Sequence, residues 1–270
     1  MVEGGGFLPD RDPAITREIL RTLHVESRRY VAPIYWGSDP YDANSVAWNA
    51  SCFFVQVDTH RFGVTAHHVI AAFLKDRDAG RASHLMIRNC DIPDWESREI
   101  ASDAVLDLST FRVSDAEFAE IQIRPFQTDI GHWPPTPPQI GRGVFFTGYA
   151  DAARRVVDSK TVEFEAISNG VVLTNLDPAA LEVQIRRSSL QPVELGGEVP
   201  SILRNLSGFS GAPLLTVSDS VAELFRLGGV ILRQMPAKDE DDVVTIFARR
   251  PECIRPDGAL VVSSRHVLPT

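Results

Sequence analysis

The most helix-like part of the chain comes first, where Ile15, Ile19 and Leu23 fall four residues apart behind Asp12-Pro13 and ahead of Arg28-Arg29. A capping carboxylate, a proline at the first helical position and a basic end predict an amphipathic helix over residues 13–29. From Val31 onward the pattern changes to short runs of apolar, β-branched and aromatic residues separated by Gly, Pro, Asp and Asn. Runs at 52–57, 61–65, 85–87, 108–113, 144–149, 161–166, 170–173, 181–185 and 229–232 predict short strands, and hence a sandwich or a barrel.

The stretch His132-Trp-Pro-Pro-Thr-Pro-Pro138 has four prolines in seven residues, which fixes φ and removes amide donors, so it is no central strand. It reads as a linker over 132–143 between a first β-unit at 45–131 and a second at 144–249. Residues 1–44 then form an N-terminal helical extension, and 250–270 a C-terminal segment. Gly4-Gly5-Gly6 follows no strand and precedes no Lys-Ser/Thr, so it is expected to be a tail rather than a phosphate loop. The charge run Lys238–Asp242 reads as a solvated loop tip.

Composition narrows the function. With 44% hydrophobic and 23% charged residues over 270 positions, the chain is neither disordered, collagen-like nor a coiled coil. A formal charge of −9 offers no basic face for phosphates, so no nucleic-acid partner is expected. Cys52, Cys90 and Cys253 are too far apart for a zinc site or a redox dithiol, and they read as buried thiols with no metal and no cofactor. The first residues lack the basic start and apolar core of a secretion signal, and no run approaches 18 apolar residues. Unless a leader has been removed, a soluble, cytoplasmic protein with no membrane partner is expected.

Three segments carry chemistry. Residues 52–65 read as a hairpin whose return strand runs into Ala66-His67-His68-Val69, placing a histidine on a rigid scaffold as general-base work requires. Asp107 stands in the otherwise apolar run 103–113, where an ionised carboxylate is costly unless it accepts hydrogen bonds or faces a cation; a histidine partner would explain it, as would a strand edge. In Leu206-Ser-Gly-Phe-Ser-Gly-Ala-Pro213, glycines two before and one after Ser210 allow a sharp turn that presents its hydroxyl. The same turn can aim the amides of Gly208 and Ser210 at one point, as an oxyanion hole needs.

In this order, Thr65-Ala66-His67-His68-Val69, Asp107-Leu108-Ser109 and Gly208-Phe209-Ser210-Gly211-Ala212-Pro213 resemble the His, Asp and Ser blocks of the trypsin/chymotrypsin-like serine peptidases. The nearest type is the disulfide-free bacterial one, which includes the protease domain of the high-temperature-requirement proteins; the resemblance spans roughly residues 45–235. It implies an all-β fold of two antiparallel six-stranded β-barrels of the chymotrypsin type, beside the N-terminal helix, with the site in the cleft between them. It implies that Ser210 attacks the scissile carbonyl, His68 takes its proton and Asp107 orients the imidazole, while the Gly208 and Ser210 amides bind the oxyanion at about 3 kcal/mol per donor.

The residues alone leave His67 open beside His68 and Asp103 beside Asp107; the family spacing favours His68 and Asp107. Phe209 stands where the digestive enzymes carry an Asp that pairs with a newly cut N-terminus, so that activation route is closed. Arg204, six before Ser210, falls at the base of the family's specificity pocket, where a guanidinium would favour an acidic substrate side chain; an arginine pointing to solvent is the alternative. An α/β-hydrolase is excluded by chain order and by Ala212 where its elbow needs glycine. The sequence therefore predicts a serine endopeptidase acting on a protein or peptide, through limited cleavage of one partner. The alternative is a latent or non-catalytic barrel that binds peptides or scaffolds, the latent form being switched by a regulatory protein partner.

Overall fold

The computed structural model describes residues 13–39, 41–42, 45–158, 161–177, 180–186, 191–192, 206–217, 224–236 and 243–262. Helix α1 (Pro13–Ser27) leads through a 3-10 turn, Arg28–Tyr30, into an eight-stranded sheet. Its path is β5 (Cys90–Asp91), β4 (His84–Ile87), β1 (Val31–Gly37), β2 (Ala47–Val57), β3 (His60–Thr65), β7 (Leu108–Phe111) and β6 (Glu99–Asp103). The eighth strand, β8 (Phe126–Thr128), pairs parallel with Val55–Val57 of β2. Three helices accompany it: α2 (His67–Asp78), α3 (Trp95–Arg98) and α4 (Asp115–Ile121).

The second half is a closed barrel. Strands β9 (Gly143–Asp158), β10 (Thr161–Leu176), β11 (Leu181–Arg186), β15 (Val243–Arg249), β14 (Phe225–Pro236) and β13 (Pro213–Val217) pair in that order, and β13 returns to β9. A two-residue strand, β12 (Gln191–Pro192), adds to β10. The expectation of two six-stranded barrels thus holds for the second half only. Among the described residues no ladder joins the end strands β5 and β6 of the first sheet. The predicted runs 161–166 and 170–173 form one strand, because the polar residues between them, Ser168 and Asn169, are buried in the ladder instead of breaking it.

Strand β2 explains how the halves meet. Its residues Ala50–Val55 are all buried, without the alternation of a half-exposed strand. Ala50, Cys52 and Phe54 face a core shared with Val69, Ile70 and Phe73 of α2, while Phe53, Val55 and Val57 face a second core with Phe145, Leu215, Phe225 and Leu232 of the barrel. Both faces of β2 are therefore interior, and the apolar cluster between the halves is continuous. Cys52, Cys90 and Cys253 are free and buried, as expected; burial pushes the Cys90 thiol up to about 12 and that of Cys253 to about 11. Among the described residues no helix is long and apolar enough to cross a membrane.

Helix α1 packs against the barrel. Leu23 enters the shared core, the Ser27 hydroxyl meets that of Thr147 at 2.5 Å, and the buried His24 ring bonds Ser168 through Nδ1 while lying edge-on to Phe145. Burial lowers the His24 pKa from 6.5 to about 4. A histidine that stays neutral when folded but takes a proton when unfolded stabilises less as pH falls through that window. Unfolding free energy should therefore drop between pH 6.5 and 4 by up to about 3 kcal/mol more in the parent than in His24→Gln, as read by urea denaturation across pH. Parallel pH profiles for the two proteins would contradict it.

Candidate active site

Strand β3 ends at the buried Thr65, and α2 begins two residues later, so His67 and His68 are the first two residues of a helix and not part of an extended segment. A helix start has amides with no intrahelical acceptor, and Ala66 at the N-cap offers no side chain to fill the gap. Asp107 fills it. Its Oδ1 accepts from the His68 backbone N–H at 3.0 Å, and its two oxygens lie 3.0 and 2.9 Å from His68 Nδ1. One carboxylate thus caps the helix, favourably placed at the positive end of its dipole, and fixes the ring. An ionised carboxylate only accepts, so Nδ1 carries the proton and Nε2 keeps its lone pair. The His68 side chain is 48% exposed and that of Asp107 23%, so the ring is held from behind and open in front.

The turn before Asp107 explains why this carboxylate, and not Asp103, reaches the histidine. Asp103 Oδ1 accepts from the amides of Val105 and Leu106, both at 2.8 Å, and is used up in bending its own chain. Leu106 and Leu108 are buried in the core between the halves, and Asp107, with φ at 56°, turns its side chain the other way. His67 is engaged elsewhere: its Nδ1 lies 2.8 Å from Ser102 Oγ, which in turn lies 2.6 Å from Ser109 Oγ.

Residues 206–212 form the facing turn. Gly208 and Gly211 take φ of 97° and 84°, as the Gly-rich pattern requires. Phe209 between them is no surface residue: it drops into the barrel core edge-on to Phe146, into space left by the missing side chain of Gly148. Ser51 of β2 locks the turn from the other half. Its hydroxyl donates to the Gly208 carbonyl at 2.8 Å and accepts from the Tyr149 amide at 3.1 Å, while its own amide donates to the Ser210 carbonyl at 2.9 Å. With both carbonyls taken from behind, the amides of Gly208 and Ser210 have no acceptor among the described residues.

Ser210 Oγ donates to the Leu232 carbonyl at 3.0 Å, and among the described residues no hydrogen bond joins it to His68. The structure therefore assembles the His68–Asp107 pair and brings the serine turn against the same junction, without the serine–histidine bond. Arg204 lies outside the described residues. Ser51 and the Leu232 carbonyl went unnoticed in the sequence, since a serine in an apolar strand and a leucine backbone carry no local signature.

No protein-family model matches the sequence, and no curated protein matches it significantly. Among solved structures the chain is similar to a protease of M. tuberculosis in its active form, at 14% identity over 88% of this chain and 82% of that one, with a TM-score of 0.44. It is similar to an inactivated protease paralogue of the scabies mite, at 13% identity over 84% and 92%, with a TM-score of 0.44. It is also similar to the protease Anisep of Arthrobacter nicotinovorans, at 12% identity over 88% and 94%, with a TM-score of 0.43. These matches include bacterial and mite chains alike and do not single out the disulfide-free bacterial type.

A side chain at Gly211 would overlap the Ser51 carbonyl oxygen and the Thr65 hydroxyl, in a backbone conformation that already disfavours one. Gly80, at φ 68°, has nothing within 4 Å of such a side chain. Gly211→Ala should therefore cost about 3 kcal/mol or more of unfolding free energy and Gly80→Ala about 1, as compared by chemical denaturation. Equal losses would mean that the junction does not close on Gly211.

Proposed function

We propose that the protein is a serine endopeptidase in which Ser210 is the nucleophile, His68 the general base and Asp107 the residue that orients it. The observation that carries this reading is the His68–Asp107 pair, which engages the ring through Nδ1 and leaves Nε2 as the acceptor, while the glycine turn bearing Ser210 packs at Gly211 against Thr65, the end of the strand that leads to His68. A change of Ser210 rotamer replaces the Leu232 carbonyl with His68 Nε2 as acceptor. Attack on the scissile carbonyl then moves the Ser210 proton to Nε2, and the Gly208 and Ser210 amides receive the oxyanion. Collapse of the tetrahedral species passes that proton to the leaving amine; water attacks the acyl-enzyme by the same route in reverse and frees the serine.

The substrate side is a proposal on Arg204, whose guanidinium favours an acidic residue before the scissile bond, within limited cleavage of a single protein partner in a reducing, cytoplasmic setting. A second reading draws on the Ser210–Leu232 bond: a latent barrel whose serine is held off the histidine until a bound partner or substrate displaces it.

Fluorophosphonate labelling followed by intact mass tests the chemistry. One adduct is expected on the parent, none on Ser210→Ala or His68→Ala, and a rate about 10³-fold lower or worse on Asp107→Asn. An adduct that survives Ser210→Ala would refute the assignment, and labelling that needs an added protein partner would favour the latent form. In a panel of peptides with Asp, Arg or Leu before the scissile bond, cleavage after Asp is expected, and best cleavage after Arg would remove Arg204 from the pocket.

A further inference from the structure

We infer that Arg249 is a positioning residue for Asp107, acting from the opposite half of the molecule. Arg249 ends β15 of the barrel and has no measurable exposure, yet it carries a guanidinium. Its Nε donates to the carbonyl of Leu106 at 2.9 Å and its Nη2 to that of Val105 at 3.2 Å. These are the two residues before Asp107, in the turn between β6 and β7. A planar fork suits two adjacent carbonyls in a way that an ammonium does not.

The geometry gives this contact a task. Asp103 takes the Val105 and Leu106 amides of the same turn, so the backbone donor and acceptor of both residues are occupied, the donors by Asp103 and the acceptors by Arg249. Asp107 follows at once, in the left-handed region, a conformation that an L residue keeps only where its surroundings fix it. With the turn clamped, the carboxylate is held within 3.0 Å of both the amide and the ring of His68. The charged groups around the guanidinium are Asp107, Asp103 and Arg233, with the neutral Cys253 thiol beside them. Burial works against its charge, and the carboxylates of Asp107 and Asp103 work for it. A neutral side chain of similar length would satisfy the packing and supply neither the donors nor the charge.

The inference deepens the peptidase proposal and rests on it for its catalytic meaning, so the test uses one readout that needs no activity. In the full-length protein the His68 Nδ1 proton, shared with Asp107, should give a low-field proton resonance that disappears in His68→Gln. In Arg249→Met, with near-UV circular dichroism like the parent, that resonance should vanish or broaden. The kcat should fall about 100-fold at unchanged KM, since a misplacement of order 1 Å carries that cost. Arg249→Lys, which keeps charge but not the fork, should regain part of both. A folded Arg249→Met with the resonance intact and kcat unchanged would overturn the inference. Should Arg249→Met not fold, Arg249→Lys decides alone, and parent values of resonance and kcat would overturn it. If the resonance is lost in Arg249→Met while parent Ser210 takes no fluorophosphonate, Arg249 keeps its role and the peptidase proposal fails.

Discussion

Ser51 is the point on which the candidate site depends. It sits on β2 with no exposure, and its amide, carbonyl and hydroxyl are all spent on groups at the junction: the Ser210 and Gly208 carbonyls, the Thr65 hydroxyl and the Tyr149 amide. A buried hydroxyl left unsatisfied costs a few kcal/mol, so the serine turn and the histidine-bearing strand are driven into one register by hydrogen bonding rather than by apolar packing, which tolerates sliding. The residue is alanine-sized and chemically plain. Its importance comes from where β2 places it.

Packing supports the same registration from both sides. Phe209 fills the barrel core and fixes the turn that carries Ser210 by dispersion and burial, where a charged residue at that position would need an ionic partner. Leu106 and Leu108 anchor the Asp107 turn in the core between the halves in the same way. Ser210 and Asp107 are thus each flanked by buried apolar neighbours one residue away, a short lever that converts core rigidity into side-chain position.

The sequence carried the local parts of this arrangement and missed the long-range ones. The glycines around Ser210, the histidine after β3 and a carboxylate in an apolar run are each visible because the constraint lies within a few residues. The residues alone left His67 open beside His68, and α2 begins there without a side-chain cap of its own because its cap, Asp107, comes from 39 residues downstream. Helix α4, which the run of strands did not predict, starts on a reciprocal capping box of Ser114 and Glu117. The open edge of the first sheet was not legible, since closure depends on pairing between strands that share no sequence neighbourhood. Ser51, whose hydroxyl bonds a carbonyl 157 residues away, and the buried Arg249, whose Nε bonds one 143 residues away, look ordinary in the sequence for the same reason.

The contacts of α1 also bear on synthesis. His24 and Ser27 bond residues 144 and 120 positions later, in the middle of β10 and β9. The helix is made before either strand, and the hydroxyls that its buried polar groups meet are made only after 120 to 144 further residues. At about 5–20 residues per second that is a wait of roughly 6–30 seconds, in which an amphipathic segment has its apolar face uncovered. A helix that docks on strands made later closes the fold rather than nucleates it, and it leaves its segment open to chaperone capture over that interval.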